Sequence, residues 1–313
     1  MNTSTHVKEY IPDEWEDVPC PVCNDKKRKL HERFGHKLQY TYVECLKCKN
    51  IYQSPRPKYD EDFLKAAYGN YYLFNEKHEF KESKYNDFSK EVQEILTFDR
   101  SKSSILDIGC AMGDFLYQAK KHYISVYGAE IAPNMAECTS SSLKIHVFRD
   151  QFEDIETSIK FSCIHMSHII EHVPNPCEWI SKAKSILSPD GIIVICVPNM
   201  HSFTRNFKLF LKRIKLRKGK WKNSLRTPDH LFEPTVEGMR YLIKNNGLSL
   251  LKIYSYSRSN MIADGVFASL FHRVFKLGSN LRLYAKLVDN SNCQDPSTNS
   301  LQSVSSEYCE MST

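Results

Sequence analysis

The chain lacks any run of about 18 apolar residues, the length a membrane-spanning helix requires. Its first twenty positions also lack the basic-then-apolar order of a secretory signal, so the expectation is an intracellular, cytoplasmic protein. No internal repeat is visible. Acid is missing from one place: Lys208 to Lys222 holds eight basic residues and no Asp or Glu, so of a formal net charge of +6 the rest of the chain carries −2. That excludes a uniformly basic nucleic-acid coat and leaves one cationic strip to explain. What is present is 313 residues, 41% of them hydrophobic, enough to bury one large domain and leave an accessory module. Eleven cysteines, an odd number, with four in two CxxC pairs, favour thiolates and metal in a reducing compartment over disulfides.

The pattern divides the chain into four parts. Residues 1–56 are a flexible N-terminus and a Cys-rich module with short strands at Val43 and Ile51 to Tyr52. Residues 57–102 are an aromatic linker and a charged helix from about Tyr85 to Leu96. Residues 103–288 alternate apolar strands (Ile105–Ile108, Ser125–Ala129, Ile145–Phe148, Cys163–Ser167, Ile192–Val197) with helices at Phe115–His122, Asn134–Ser140 and Pro176–Leu187. Such alternation implies βαβ units and an α/β fold whose parallel sheet is covered on both faces. A helix from Thr235 to Gly247, strands at Ser249–Tyr256 and Leu281–Val288, and an apolar helical face over 263–277 follow; 289–313 reads as a disordered tail.

The most informative stretch is Ile105-Leu106-Asp107-Ile108-Gly109-Cys110-Ala111-Met112-Gly113-Asp114-Phe115, an apolar strand entering a small-residue turn that opens a helix. Small residues there let backbone amides approach a ligand. The spacing is neither the G-x-G-x-x-G of dinucleotide binders nor a P-loop with its Lys-Ser or Lys-Thr. Glu130 ends the next strand, placed to accept hydrogen bonds from ribose hydroxyls.

With that strand-ending acid, the D-x-G-x-x-x-G turn resembles the class I S-adenosylmethionine-dependent methyltransferases. SHIIEHVPNP (from Ser167), LSPDGIIVICVPN (from Leu187) and PDHLFEPT (from Pro228) resemble, in order and spacing, the small-molecule branch that includes the ubiquinone-pathway O-methyltransferases. The resemblance covers about residues 57–288 and implies a Rossmann-like, mostly parallel seven-stranded sheet. It implies that Asp107, Gly109 and Gly113 surround the methionine part of the cofactor, Glu130 holds the ribose, Ile131 packs on adenine, and Asp150, with Phe152 a weaker candidate, lies near the adenine amino group. Asp150 reads equally as a solvated loop carboxylate. Ala111 departs from the family's usual Gly, and its methyl fits the turn only at negative φ. Tyr71, with Tyr68 and Tyr72, resembles the aromatic lead-in that closes over the cofactor, core packing being the alternative.

Methyl transfer is an in-line displacement, so the protein must align the acceptor and, for a hydroxyl, remove a proton. His168, Glu171 and His172 fall just past the fourth strand, where ligands of open α/β sheets lie. His172 is the expected base, with Glu171 orienting it or contacting the cofactor; a capping or packing role is the bland reading. His230 either faces the same pocket or sits in a surface turn. The fourth strand ends without the Asn/Asp-Pro-Pro-aromatic grip of many amino-methylating nucleic-acid enzymes, and Cys177, at a helix start, reads as a structural thiol rather than a nucleophile.

Cys20-Pro-Val-Cys23 and Cys45-Leu-Lys-Cys48 make two knuckles that present four thiolates to one structural zinc ion with no open coordination position. Lys26-Lys27-Arg28-Lys29 between them read as a solvated hairpin tip, a phosphate contact being the alternative. CPVC…CLKC followed by SPRP and YGNYY resembles the zinc-ribbon leader of bacterial methyltransferases associated with modified sugars and surface glycans. The segment 203–222 reads as a basic amphipathic helix that either contacts an anionic membrane or acceptor peripherally or packs on its own domain. The expected acceptor is a small molecule or a lipid-linked glycan precursor. RNA, gripped by ribbon and basic helix, is the alternative, and a silent interaction protein a third.

Overall fold

The computed structural model describes residues 14–34, 40–60, 63, 80, 86–199, 202, 229–256 and 278–288. Tyr68, Tyr71, Tyr72, the basic segment 203–222, the apolar face at 263–277 and the tail beyond 288 lie outside them.

Seven strands form the main sheet: β6 (Ser104–Ile108), β7 (Ser125–Ala129), β8 (His146–Phe148), β9 (Phe161–Ser167), β10 (Leu187–Pro198), β12 (Leu248–Tyr256) and β13 (Asn280–Leu287), in the order β12-β13-β10-β9-β6-β7-β8. Neighbours from β10 to β8 run parallel, and β13 runs antiparallel to both β10 and β12. The expected mostly parallel seven-stranded sheet is therefore present. Strand side chains alternate between two cores. Leu106, Ile164, Ile193 and Ile195 face α4 (Pro176–Ile186) and α5 (Val236–Asn245), while Ile105, Cys163, Ile192 and Val194 face α1 (Asn86–Ile95), α2 (Asp114–Ala119) and α3 (Pro133–Leu143). Burial on both faces explains why these strands read as continuous apolar runs. Thr235 caps α5, its hydroxyl accepting from the Gly238 amide at 2.9 Å, which sets the helix start one residue after the position read from sequence.

The N-terminal module builds a second sheet from β2 (Arg28–Phe34), β3 (Tyr40–Cys45) and β4 (Ile51–Gln53), and a strand of the main domain, β11 (Phe232–Glu233), completes it in the order β11-β4-β3-β2. β1 (Trp15–Glu16) pairs with β5 (Arg56–Pro57). Cys20, Val22, Val43, Cys45, Cys48 and Tyr52 belong to the same continuous core as α4, α5 and that face of the large sheet. Arg28 is no solvated tip residue. Its guanidinium ion-pairs with Asp17 at 2.7 Å and donates to the Val18 carbonyl and the Ser54 hydroxyl, tying β2 to the chain entering the first knuckle.

Candidate active site at the strand ends

The order of the sheet reverses between β6 and β9, and a crevice opens beyond the carboxyl ends of β6, β7 and β9. There the structure has a cavity of about 300 Å³, within the range of small-molecule sites. Its wall carries Gly109, Ala111, Glu130, Ile131, Asp150 and Phe152 from the cofactor prediction and His168 and His172 from the chemical one.

The turn after β6 shapes one side. Gly109 has φ +71°, and a Cβ there would collide with the Ile169 side chain. Ala111 has φ +47°, contrary to the expectation of negative φ. This left-handed geometry is held from both sides, since its amide donates to Glu130 Oε2 at 3.0 Å and its carbonyl accepts from the Thr139 hydroxyl at 2.7 Å. Glu130 Oε1 takes the Ala132 amide at 2.9 Å, so two backbone donors aim this carboxylate at the cavity edge. Two predicted cofactor residues are placed differently. Gly113, at φ +80°, caps α2 against Thr139 and Leu143 and does not line the cavity. Asp107 lies beneath the turn, fully buried, its Oδ1 2.7 Å from His165 Nδ1.

His165 was not singled out by its sequence context. It bridges Asp107 and Glu91 of α1, at 3.3 Å, while Arg282 of β13 pairs with Glu91 at 2.8 Å and Glu94 at 3.1 Å. Burial opposes the charge on His165, but the Asp107 carboxylate outweighs it and raises the imidazole well above its ordinary range. Burial alone would raise Glu91 too, yet the His165 hydrogen bond and the Arg282 charge hold it at about 2. A buried ionic layer thus lies directly below the glycine turn.

On the opposite wall, a one-turn segment, Ile170–His172, follows β9. His172 Nδ1 lies 3.0 Å from the Asp229 carbonyl, an acceptor only, so this nitrogen carries the proton and Nε2 the lone pair. Burial, then the charge of His230, lowers the His172 pKa and keeps its ring neutral. His230 meets that ring edge to face, with centroids 4.7 Å apart, but is not itself among the residues lining the cavity. Burial opposes its charge, but Glu233, 3.7 Å from its Nδ1, pushes it up to about 9. Adjacent histidines are therefore held in opposite protonation states, one basic and one cationic, a division suited to acid–base work. Glu171 is fully buried 3.4 Å from His168 Nδ1 and 4.0 Å from His172 Nε2, and neither of its oxygens has a hydrogen-bond partner among the described residues. Glu171, His172 and His230 each offer a ligand atom within 4.8 Å of the others, so the trio could also hold a divalent cation. Tyr59, Met135, Ser167, Trp179 and Asp229 complete the wall; Tyr59 and Trp179 had only generic aromatic context in sequence.

The four knuckle thiols Cys20, Cys23, Cys45 and Cys48 also lie within 4.8 Å of one another. Their Sγ···Sγ distances of 3.5 Å (Cys20 to Cys48) and 3.4 Å (Cys23 to Cys45) are far beyond a disulfide. They approach the ~3.8 Å edge of a tetrahedron with metal–sulfur bonds of about 2.3 Å, so the set fits a closed structural zinc site. The Cys177 thiol donates to the Pro21 and Val22 carbonyls of the first knuckle at 3.6 and 3.5 Å, a packing role.

Comparison with known proteins agrees with this geometry. Residues 79–253 match the sequence profile of a methyltransferase domain family. A ubiquinone biosynthesis O-methyltransferase of Bartonella bacilliformis is 29% identical over 169 residues, 44% of this chain and 68% of that protein. One from Coxiella burnetii is 26% identical over 116 residues, 35% of this chain and 47% of the relative, so the chain spans about half of its length. A crystal structure of a methyltransferase dependent on S-adenosylmethionine from Archaeoglobus fulgidus, 20% identical, superposes with a TM-score of 0.46 over 63% of this chain and 92% of that one. With the profile covering more than half of its length, the chain belongs to the methyltransferase domain family, as a class I S-adenosylmethionine-dependent enzyme.

Proposed function

We propose that the chain methylates a hydroxyl of a small molecule or a lipid-linked sugar precursor, with His172 as general base and a structural zinc ion in the four-thiolate ribbon. When bound, S-adenosylmethionine supplies an electrophilic methyl on a sulfonium. Glu130 would hold its ribose, Ile131, Met135 and Phe152 its adenine. The observation that carries the reading is His172 in the wall of the cavity with His230 set edge to face against its ring: His172, with Nδ1–H committed to the Asp229 carbonyl, would take the acceptor's proton on Nε2, and cationic His230 keeps that imidazole neutral. The likeness to ubiquinone O-methyltransferases supports oxygen as the acceptor atom. The basic segment 203–222 would favour an anionic acceptor or membrane surface, and cytoplasmic residence with peripheral attachment fits it; no helix among the described residues is long and apolar enough to cross a membrane.

The test is transfer of labelled methyl from S-adenosylmethionine into extract of the source cell, partitioned into lipid, small polar and RNase-sensitive fractions. Label in the lipid or small polar fraction, abolished by Glu130→Ala, is expected; label lost to RNase would overturn the acceptor class. The buried Glu171 carboxylate, near His168 and His172 but without a hydrogen bond among the described residues, favours a second reading, in which Glu171, His172 and His230 would hold a divalent ion that acidifies the acceptor hydroxyl. Loss of transfer on chelation, restored by added magnesium or manganese, would select it over the free base.

A further inference from the structure

The segment that supplies the Asp229 carbonyl and His230 is not held by its own domain alone. The His230 carbonyl accepts two hydrogen bonds from the ribbon, from the Tyr42 hydroxyl at 2.6 Å and Gln53 Nε2 at 2.7 Å, and both of these side chains are fully buried. Gln53 Nε2 also reaches the Tyr42 oxygen, at 3.2 Å, so the two donors converge on one acceptor as a unit. One residue on, the backbone is stitched from both sides: the Gln53 amide donates to the Leu231 carbonyl at 2.9 Å and the Leu231 amide to the Glu171 carbonyl at 2.9 Å. Phe232 and Glu233 then pair with Tyr52 and Ile51 of β4. Tyr42 lies on the strand that ends in Cys45, and Gln53 on the strand that leaves the second knuckle, with Tyr42 opposite Gln53 in register.

We propose that the ribbon is part of the catalytic apparatus, and that Tyr42 and Gln53 are positioning residues that fix the His172 tautomer through residues 229–231. The proposal rests on His172 acting at the acceptor. It holds whether His172 Nε2 takes a proton or a metal ion, because the ribbon acts on the Nδ1 side. Without the two donors, the Asp229 carbonyl is no longer presented to Nδ1, and the ring samples both tautomers, only one of which leaves Nε2 available. A ribbon serving only to bind substrate or nucleic acid would need no such link.

The experiment uses the full-length, zinc-loaded chain labelled with ¹⁵N-histidine, as wild type, Tyr42→Phe, Gln53→Leu and the double variant. Zinc content and S-adenosylmethionine affinity should stay at the wild-type level in each. In the double variant the His172 nitrogens should change from a single Nδ1–H form to a mixture, with amide exchange at 229–233 about tenfold faster or more, as expected for local release of the segment. Methyl transfer into cell extract should fall by a similar factor while donor affinity is unchanged. A single unchanged tautomer and unchanged exchange in a zinc-loaded double variant would overturn the proposal. Should the double variant lose zinc, Tyr42→Phe decides by the same criteria, since it removes one hydroxyl without changing core volume. Because these readouts need no acceptor, a failure of the His172 assignment, seen as full transfer by His172→Gln, is separable from a failure of the brace.

Discussion

His172, in the cavity wall, and His230, edge to face against it, are driven to opposite protonation by burial and by Glu233. A base must be neutral to act, so transfer should rise with pH through the lowered His172 pKa and level off near neutrality. Loss of the His230 proton near pH 9 leaves His172 neutral, so this pair predicts a plateau rather than an alkaline fall. A pH–rate profile for kcat/KM checks this; in His230→Gln the acid limb should move to higher pH, because the cation that lowers the His172 pKa is gone, and in His172→Gln transfer should drop about 10²–10⁴-fold, the usual worth of a positioned base. Ala111 carries a different expectation. A left-handed non-glycine residue costs about 1–2 kcal/mol, and glycine's greater unfolded-chain entropy returns about 0.5–1 kcal/mol of any gain. Ala111→Gly should therefore stabilise the protein by about 0.5–1 kcal/mol, measured by urea unfolding. A loss would mean that the alanine methyl contributes packing beyond the strain it imposes. Sequence pattern exposed the turn but not this sign, because φ at Ala111 is set by tertiary partners, the Glu130 carboxylate and the Thr139 hydroxyl.

The charged helix was legible as an element, spanning Asn86–Ile95 against an expected Tyr85–Leu96. Its role was not, because charge on a helix normally marks a solvated face. Glu91 instead points onto the sheet, where Asp107, His165, Cys196 and Arg282 fall on one face of four neighbouring strands. Only knowledge of the register, Asp107 beside His165 and Cys196 beside Arg282, aligns these scattered polar residues, and register is a tertiary property. The network predicts a specific acid sensitivity. Glu91 has a folded pKa of about 2, below its ordinary 4.5, so its stabilisation is complete above pH 4.5 and lost as pH falls towards 2. The shift corresponds to a loss on the order of 3 kcal/mol across that window. Glu91→Gln should flatten this part of the stability–pH curve and cost about 3–5 kcal/mol at neutral pH, since Arg282 and His165 stay buried without their carboxylate. Chemical denaturation at pH 3 and pH 6 measures both effects; equal pH dependence in variant and wild type would remove Glu91 as the origin.

For the whole molecule, spacing alone identified the two knuckles and the alternating α/β pattern, because both are local: a CxxC turn presents its thiolates wherever it is placed, and apolar periodicity follows from burial on two faces. The sequence contained no sign of the joint between them. β11 is two residues long, and its apolar-acidic pair Phe232-Glu233 has no strand periodicity of its own. Yet it extends the ribbon sheet, and the buried Val22, Val43 and Tyr52 share a core with α4 and α5. A module so joined should not melt alone. The two CxxC turns enclose too little apolar surface to persist without their ion, and in small zinc modules metal binding contributes about 10–16 kcal/mol of folding energy. Chelation of the proposed zinc, or Cys20→Ser, should therefore lower the midpoint of the whole chain by more than about 10 °C for a loss of several kcal/mol, in one transition seen alike by calorimetry and by tryptophan fluorescence from Trp15 in the ribbon and Trp179 at the cavity. Two separated transitions, with the cavity signal unmoved by chelation, would show the shared core to be a contact without coupling. A single shifted transition requires that the ion at the knuckles and the histidines at the cavity stand or fall together.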